Sequence, residues 1–207
     1  MIKKQIVERV IVSMVGMTIL GFGIGIIVNS KFGSDCLTLA IESFHNTWGL
    51  TVGTFNMIVG AIMLVIAFFC DKKKIGFSTV YYVVCCKFII DTTIKYVPVA
   101  TNIYMQLLYV LIAIVCCSFA TALSVSARLG LAYYDAFIYS VSDKFKFNPV
   151  IFRYIVEAIL LTISFFLHTY PGFGTLIYFI VLGPSISSLL KLIKKPLRSH
   201  WNMPFED

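Results

Sequence analysis

Two pairs of opposite charges lie inside apolar stretches of a chain that has few charges elsewhere. Lys87 and Asp91 are four residues apart, and so are Arg153 and Glu157. On a helix that spacing puts both members of a pair on one face. A charge at the centre of a membrane span costs about 2.5–3.5 kcal/mol on insertion scales, so such groups turn inward and find partners. A lone buried pair gains little over two apolar residues, which points to a use: holding a polar solute or passing on a proton. Self-satisfied pairs that only fix packing are the competing reading. Asp135 is a further candidate, set among Tyr133, Tyr134 and Tyr139, while Asp35, Thr38 and Glu42 occupy a similar stretch earlier in the chain. These acids either meet a ligand where a short segment leaves its ends unpaired or cap short helices that face water. The expected solute-binding residues are Asp35, Thr38, Lys87, Asp91, Tyr134, Asp135, Arg153 and Glu157.

Membrane spans must position them. Of 207 residues, 59% are hydrophobic and 13% charged, with a mean hydropathy of +0.90. A soluble domain averages about 25% charged, so a water-exposed surface cannot be built from this composition. Apolar runs long enough to cross a bilayer fall at about 10–28, 52–69, 77–96, 103–127, 150–167 and 175–193. The first is too long for a signal-peptide core and no small-residue cleavage site follows it. Two shorter segments, 35–46 and 131–141, are broken by polar groups and re-enter the membrane or lie at its surface.

Net charge is +7, but the basic residues flank the spans, where they set topology and meet anionic lipid rather than nucleic acid. With six crossings, one side holds Lys3, Lys4 and Arg9, then Lys72, Lys73 and Lys74, then Arg128, Lys144 and Lys146, then Lys191, Lys194, Lys195 and Arg198. The other side holds Lys31 and Lys95. The positive-inside rule then puts both termini in the cytoplasm. If the short segments crossed as well, Lys72–Lys74 would fall outside and the rule would fail.

The spans repeat. SFATALSVSARLGLAYYD (118–135) echoes GFGIGIIVNSKFGSDCLT (21–38) at an offset of 97 residues (118 − 21). Phe55 and Phe68 match Phe152 and Phe165 at the same offset, and GFST at Gly76 matches GFGT at Gly172 at an offset of 96. Thr51 and Asn148, good N-caps, correspond, with Pro149 at the first helical position. Each unit, 10–96 and 103–193, has three crossings. An odd number makes the second an inverted copy within a single all-α membrane domain, followed by a polar tail at 196–207. Such inverted repeats are a common plan of secondary transporters, although duplication for stability alone would leave the same trace. The charges break the symmetry: Lys87 and Asp91 align with Gly183 and Ser187, and Arg153 and Glu157 with Asn56 and Gly60.

Lipid supplies no hydrophobic drive for helix pairing, so small residues let backbones approach. Gly21 and Gly25, with Ser118 and Ala122, are expected to pack the first span on the fourth. Gly183-Pro184 interrupts the last span and is expected to bend it. The six cysteines lack metal-ligand spacing, the three histidines share none, and no phosphate loop or nucleophile motif is present. The expectation is a protein that is not an enzyme, with no cofactor and no metal.

The stretches SKFGSDCLT, GLTVGT (49–54), ARLGLAYYD, PGFGT and Gly183-Pro184 resemble the YitT/YczE-like bacterial integral membrane proteins over about 16–192. Asp91 and Glu157 resemble acids that recur in that family's third and fifth helices. The usual turn proline is replaced here by Cys36 and by Tyr133, and Thr38 stands where the second copy has Asp135. The resemblance implies a multi-pass protein of the bacterial inner membrane, suspected of transport or of supporting secondary-metabolite production. The functional expectation is a permease or exporter moving a small solute by alternating access. A substrate-binding membrane subunit of a larger importer and an accessory to a biosynthetic complex are the alternatives. Its partners are the lipid bilayer and an unidentified solute, with a homodimer left open.

Overall fold

The computed structural model describes the backbone of residues 2–200 and the side chains of residues 5–193. The expected tail at 196–207 therefore lies outside the described side chains. Among the described residues the chain is all-helical: α1 (Ile2–Ser30), α2 (Cys36–Trp48), α3 (Val52–Cys70), a single 3-10 turn (Lys72–Lys74), α4 (Phe77–Tyr96), α5 (Ile103–Ala127), α6 (Tyr133–Phe145), α7 (Pro149–Phe166) and α8 (Phe173–His200). Six of these (α1, α3, α4, α5, α7 and α8) are long and apolar enough to cross a membrane. They coincide with the six expected spans, and α2 and α6 with the two short segments. Helix α8 continues through Gly183-Pro184 as one element.

Local sequence explains where the helices begin. The Thr51 side chain accepts the Thr54 amide at the start of α3, and the Asn148 side chain accepts the Val150 amide ahead of α7, with Pro149 in the first turn. The Asp35 carboxylate accepts the Thr38 amide (3.2 Å) and so caps α2. At the other end of α5 the carbonyls of Ala127 and Arg128 accept the Arg9 guanidinium, at 2.9 and 3.3 Å. A cation there offsets the negative end of the helix dipole.

The two halves of the chain interlock through matching loops. Lys31 and Arg128 both take left-handed backbone (φ 52° and 50°), and each is followed two residues later by a glycine, Gly33 and Gly130 (φ 120° and 111°). Glycine suits those last positions because side chains disfavour that φ. The first loop meets the start of α8, where the Gly174 amide donates to the Phe32 carbonyl (2.9 Å). The second meets the start of α4, where the Ser78 amide donates to the Leu129 carbonyl (3.0 Å). Helix N-termini carry amides without intrahelical partners, and here the other half's loop satisfies one of them. A Cβ on Gly172 would collide with the Phe32 carbonyl, and one on Gly76 with that of Leu129. Backbone meets backbone at both junctions, so neither position accepts a side chain.

Helix α1 runs between α4 and α5, and α5 also packs on α8. The small residues work differently from the expectation. Gly21 and Gly25 face α4, where added Cβ atoms would meet Ile89 at 2.8 Å and Thr93 at 2.5 Å. Gly16 and Gly23, seven residues apart on another face of α1, are the ones that meet α5, at Ser124 and Ala120 and at Cys117. Two turns of helix return to the same face, whereas the four-residue spacing of Gly21 and Gly25 follows a different ridge. Ser118 and Ala122 are fully buried on α5. The short helices cross over: α6 lies on α3 and α2 on α7.

Candidate functional site

A cavity of about 380 Å³ opens where α7 and α8 part, floored by the starts of α2 and α6 and backed by α1, α4 and α5. That volume lies within the range of about 300–1,000 Å³ usual for small-molecule sites. Only 11% and 6% of the residues in the apolar cores of α7 and α8 are buried, against 33% or more in the other four spans. The two helices hardly approach each other, and Tyr154 and Phe179 stand ring to ring across the gap at 5.8 Å.

Arg153 organises the polar side of the cavity. Its Nε donates to Glu157 Oε1 (3.0 Å), one turn along α7, and its Nη1 reaches Asp135 Oδ1 on α6 (3.4 Å). The guanidinium also sits over the Tyr134 ring, 5.3 Å from its centroid, a cation–π contact. Asp35 faces the same space from the start of α2. Desolvation by burial pushes the carboxyls of Asp35 and Asp135 above the ordinary carboxylate range; the Thr38 hydrogen bonds oppose this at Asp35, and Arg153 opposes it at Asp135. Several residues that line the cavity carry a buried polar atom with no hydrogen-bond partner among the described residues: Glu157 Oε2, the hydroxyls of Tyr82 and Tyr134, and Thr175 Oγ1. Buried polar groups are normally paired, so these four are exceptions gathered in one region.

Of the expected binding residues, the cavity brings together Asp35, Tyr134, Asp135, Arg153 and Glu157. Thr38 is buried behind Asp35 and does not line it. Lys87 and Asp91 do not line the cavity, and the ion pair of the competing reading does not form between them either. Asp91 instead accepts the Thr51 hydroxyl (2.6 Å) and the Gly53 amide (2.8 Å), holding the start of α3. The positive end of a helix offers fixed, short donors, which a flexible ammonium one turn away does not match. Lys87 has no ion pair among the described residues. Glu42 also stays apart, taking the Ser34 hydroxyl (2.9 Å) with Lys31 at 3.9 Å.

Tyr82 and Thr175 line the cavity and were not singled out from the sequence. Thr175 had a signal. It aligns with Thr79 at the 96-residue offset; Thr79 donates to the Leu131 carbonyl (2.6 Å), while Thr175 keeps its hydroxyl unpartnered. Tyr82 stacks on Tyr133 at 5.6 Å, a pairing across 51 residues that no local pattern announces.

The Family of unknown function (DUF6198) matches residues 7–191, and the chain belongs to it. An uncharacterized protein of Haemophilus influenzae is 24% identical over 180 residues, covering 86% of this chain and 82% of that protein. No solved structure matches. Neither match carries the YitT/YczE name.

Proposed function

We propose that this DUF6198 family member is a small-solute permease or exporter rather than an enzyme. The cavity carries this reading: five chemically active side chains converge in it from both halves of a chain with six membrane-length helices. The 97-residue repeat and the matching loops that lock α4 and α8 support alternating access between inverted halves as the way it works. Solute sites of inverted-repeat carriers lie where the repeats meet, and this cavity lies between α7 of one half's span set and α2 of the other. Basic residues also gather at one end of the bundle: Arg9 on Arg128, Lys74 on Asp143 at 3.0 Å, and Lys144 on the Phe69 carbonyl. That end would be cytoplasmic under the positive-inside rule, in the bacterial inner membrane that the YitT/YczE resemblance implies.

The exposed apolar faces of α7 and α8 favour one second reading, a membrane subunit that captures a solute and docks on a partner or on a second copy. Reconstitution separates the two. Purified full-length protein in liposomes is loaded with a bacterial metabolite extract, and solutes crossing the bilayer are identified by mass spectrometry. Wild-type protein is expected to pass a defined solute, while Arg153→Ala and Asp135→Asn remain membrane-inserted and do not. Wild-type flux through both variants, or no flux without a partner, would overturn the permease reading.

A further inference from the structure

The cavity has a sign. Three carboxylates line it, from Asp35, Asp135 and Glu157, against one guanidinium, from Arg153. Arg153 is already engaged by two of the three. Asp35 has no cation within ion-pair distance among the described residues, and Glu157 keeps Oε2 unpartnered. A buried carboxylate without full compensation costs several kcal/mol, so such a group either holds a proton or meets a cation, and a bound cation lets these acids stay ionised. An anion would face the same carboxylates and be repelled, and Arg153 is held by two of them.

The remaining walls point the same way. Tyr82, at 1% exposure, and Thr175, at 5%, line the cavity and carry buried hydroxyls without a hydrogen-bond partner among the described residues, and Tyr134 adds a third. Hydroxyl oxygens accept hydrogen bonds from an ammonium. Tyr178, Phe179, Leu182 and Ile24 supply an apolar flank. Acids, tyrosines and apolar residues lining one cavity match a molecule with a cationic head and an apolar body.

We propose that the solute is an organic cation, a small amine whose ammonium sits between Glu157, Asp35 and the Tyr134 hydroxyl and whose apolar body lies against α8. This inference rests on the cavity being the solute site proposed above. The pairing on α7 fits this reading: Arg153 holds Glu157 Oε1 and leaves Oε2 without a partner.

The test uses three probes of one body and different charge: phenethylamine, phenethyl alcohol and hydrocinnamate, titrated calorimetrically into detergent-purified full-length protein. The amine is expected to bind and the other two are not. Glu157→Gln should weaken amine binding about tenfold or more, the scale of a charged hydrogen bond, and Tyr134→Phe, which keeps the ring, should weaken it severalfold. If Glu157→Gln does not yield folded protein, Tyr134→Phe and Asp35→Asn carry the test. Binding of hydrocinnamate or the alcohol as tightly as the amine, absence of amine binding, or indifference to every variant overturns the inference. Counterflow of the amine in liposomes separates it from the transport reading. Amine bound but not moved leaves the cation site standing and sinks the permease; flux of an anionic solute does the reverse.

Discussion

Two corners of this molecule are built from matching parts and finish differently. In one, α6 lies on α3 beside α4; in the other, α2 lies on α7 beside α8. At the first corner Tyr133 fills the space. Its ring rests on Gly60, where a Cβ would stand 3.1 Å away, and its hydroxyl donates to Asn56 Oδ1 at 3.1 Å. At the second corner the residue matching Tyr133 is Cys36, and those matching Asn56 and Gly60 are Arg153 and Glu157. A phenol packed on a glycine has become a thiol facing an ion pair, and the vacated volume is cavity. The third helices differ too. Asp91 on α4 reaches across to Thr51 and Gly53 and ties α3 to α4, whereas the matching residue on α8 is Ser187 and α7 and α8 stand apart. One corner is latched and filled, the other charged and open. Under the proposed function, one junction serves stability and its counterpart serves binding.

The sharpest test is of what the corners share. Gly76→Ala and Gly172→Ala each drive a Cβ into a backbone carbonyl of the opposite loop, and each is expected to destabilise the protein by about 3 kcal/mol or more. Thermal unfolding in detergent, or loss of monodisperse protein on size exclusion, reads this. If one variant is tolerated and the other is not, the two junctions are not equivalent and the comparison loses its base.

The next test exchanges the corners' contents. Tyr133→Cys should open a cavity at the latched corner and cost about 3 kcal/mol, the scale of removing a buried aromatic ring. Cys36→Tyr should fill the open corner, with loss of amine binding of at least about tenfold in a protein that still unfolds cooperatively. Retained binding in Cys36→Tyr would mean that the ligand uses another part of the cavity.

The smallest effects come from Lys87 and Asp91, the two expected binding residues that lie outside the cavity. Asp91→Asn weakens the latch and should cost about 1 kcal/mol of thermal stability with amine affinity unchanged. Lys87→Met is expected to fall within about 0.5 kcal/mol of wild type, because no ion pair is lost. A large loss of binding in Lys87→Met would return Lys87 to the site.

Much of this was legible along the chain. The six apolar runs, the N-caps at Thr51 and Asn148, and the four-residue spacing of Arg153 and Glu157 are local patterns, and the folded protein keeps them. The repeat also showed which residues match, so the contrast between Tyr133 and Cys36 was present in the letters. Its consequence was not. Which way Asp91 turns depends on the start of α3 lying beside α4, and the face that Gly21 presents depends on where α4 and α5 stand around α1.

Hydropathy, helix caps and motif spacing act over a few turns of chain, so they already specify a six-span helical membrane protein with recurring motifs and unevenly placed charges. Which charges share a space is set by packing. It turned Asp91 to a helix end, gathered Asp35 and Asp135 around Arg153 and Glu157, and left Tyr82 and Thr175 with their hydroxyls unpartnered. Those outcomes depend on how helices distant in sequence cross, and a side chain's partner is whatever that crossing brings within 3 or 4 Å of it.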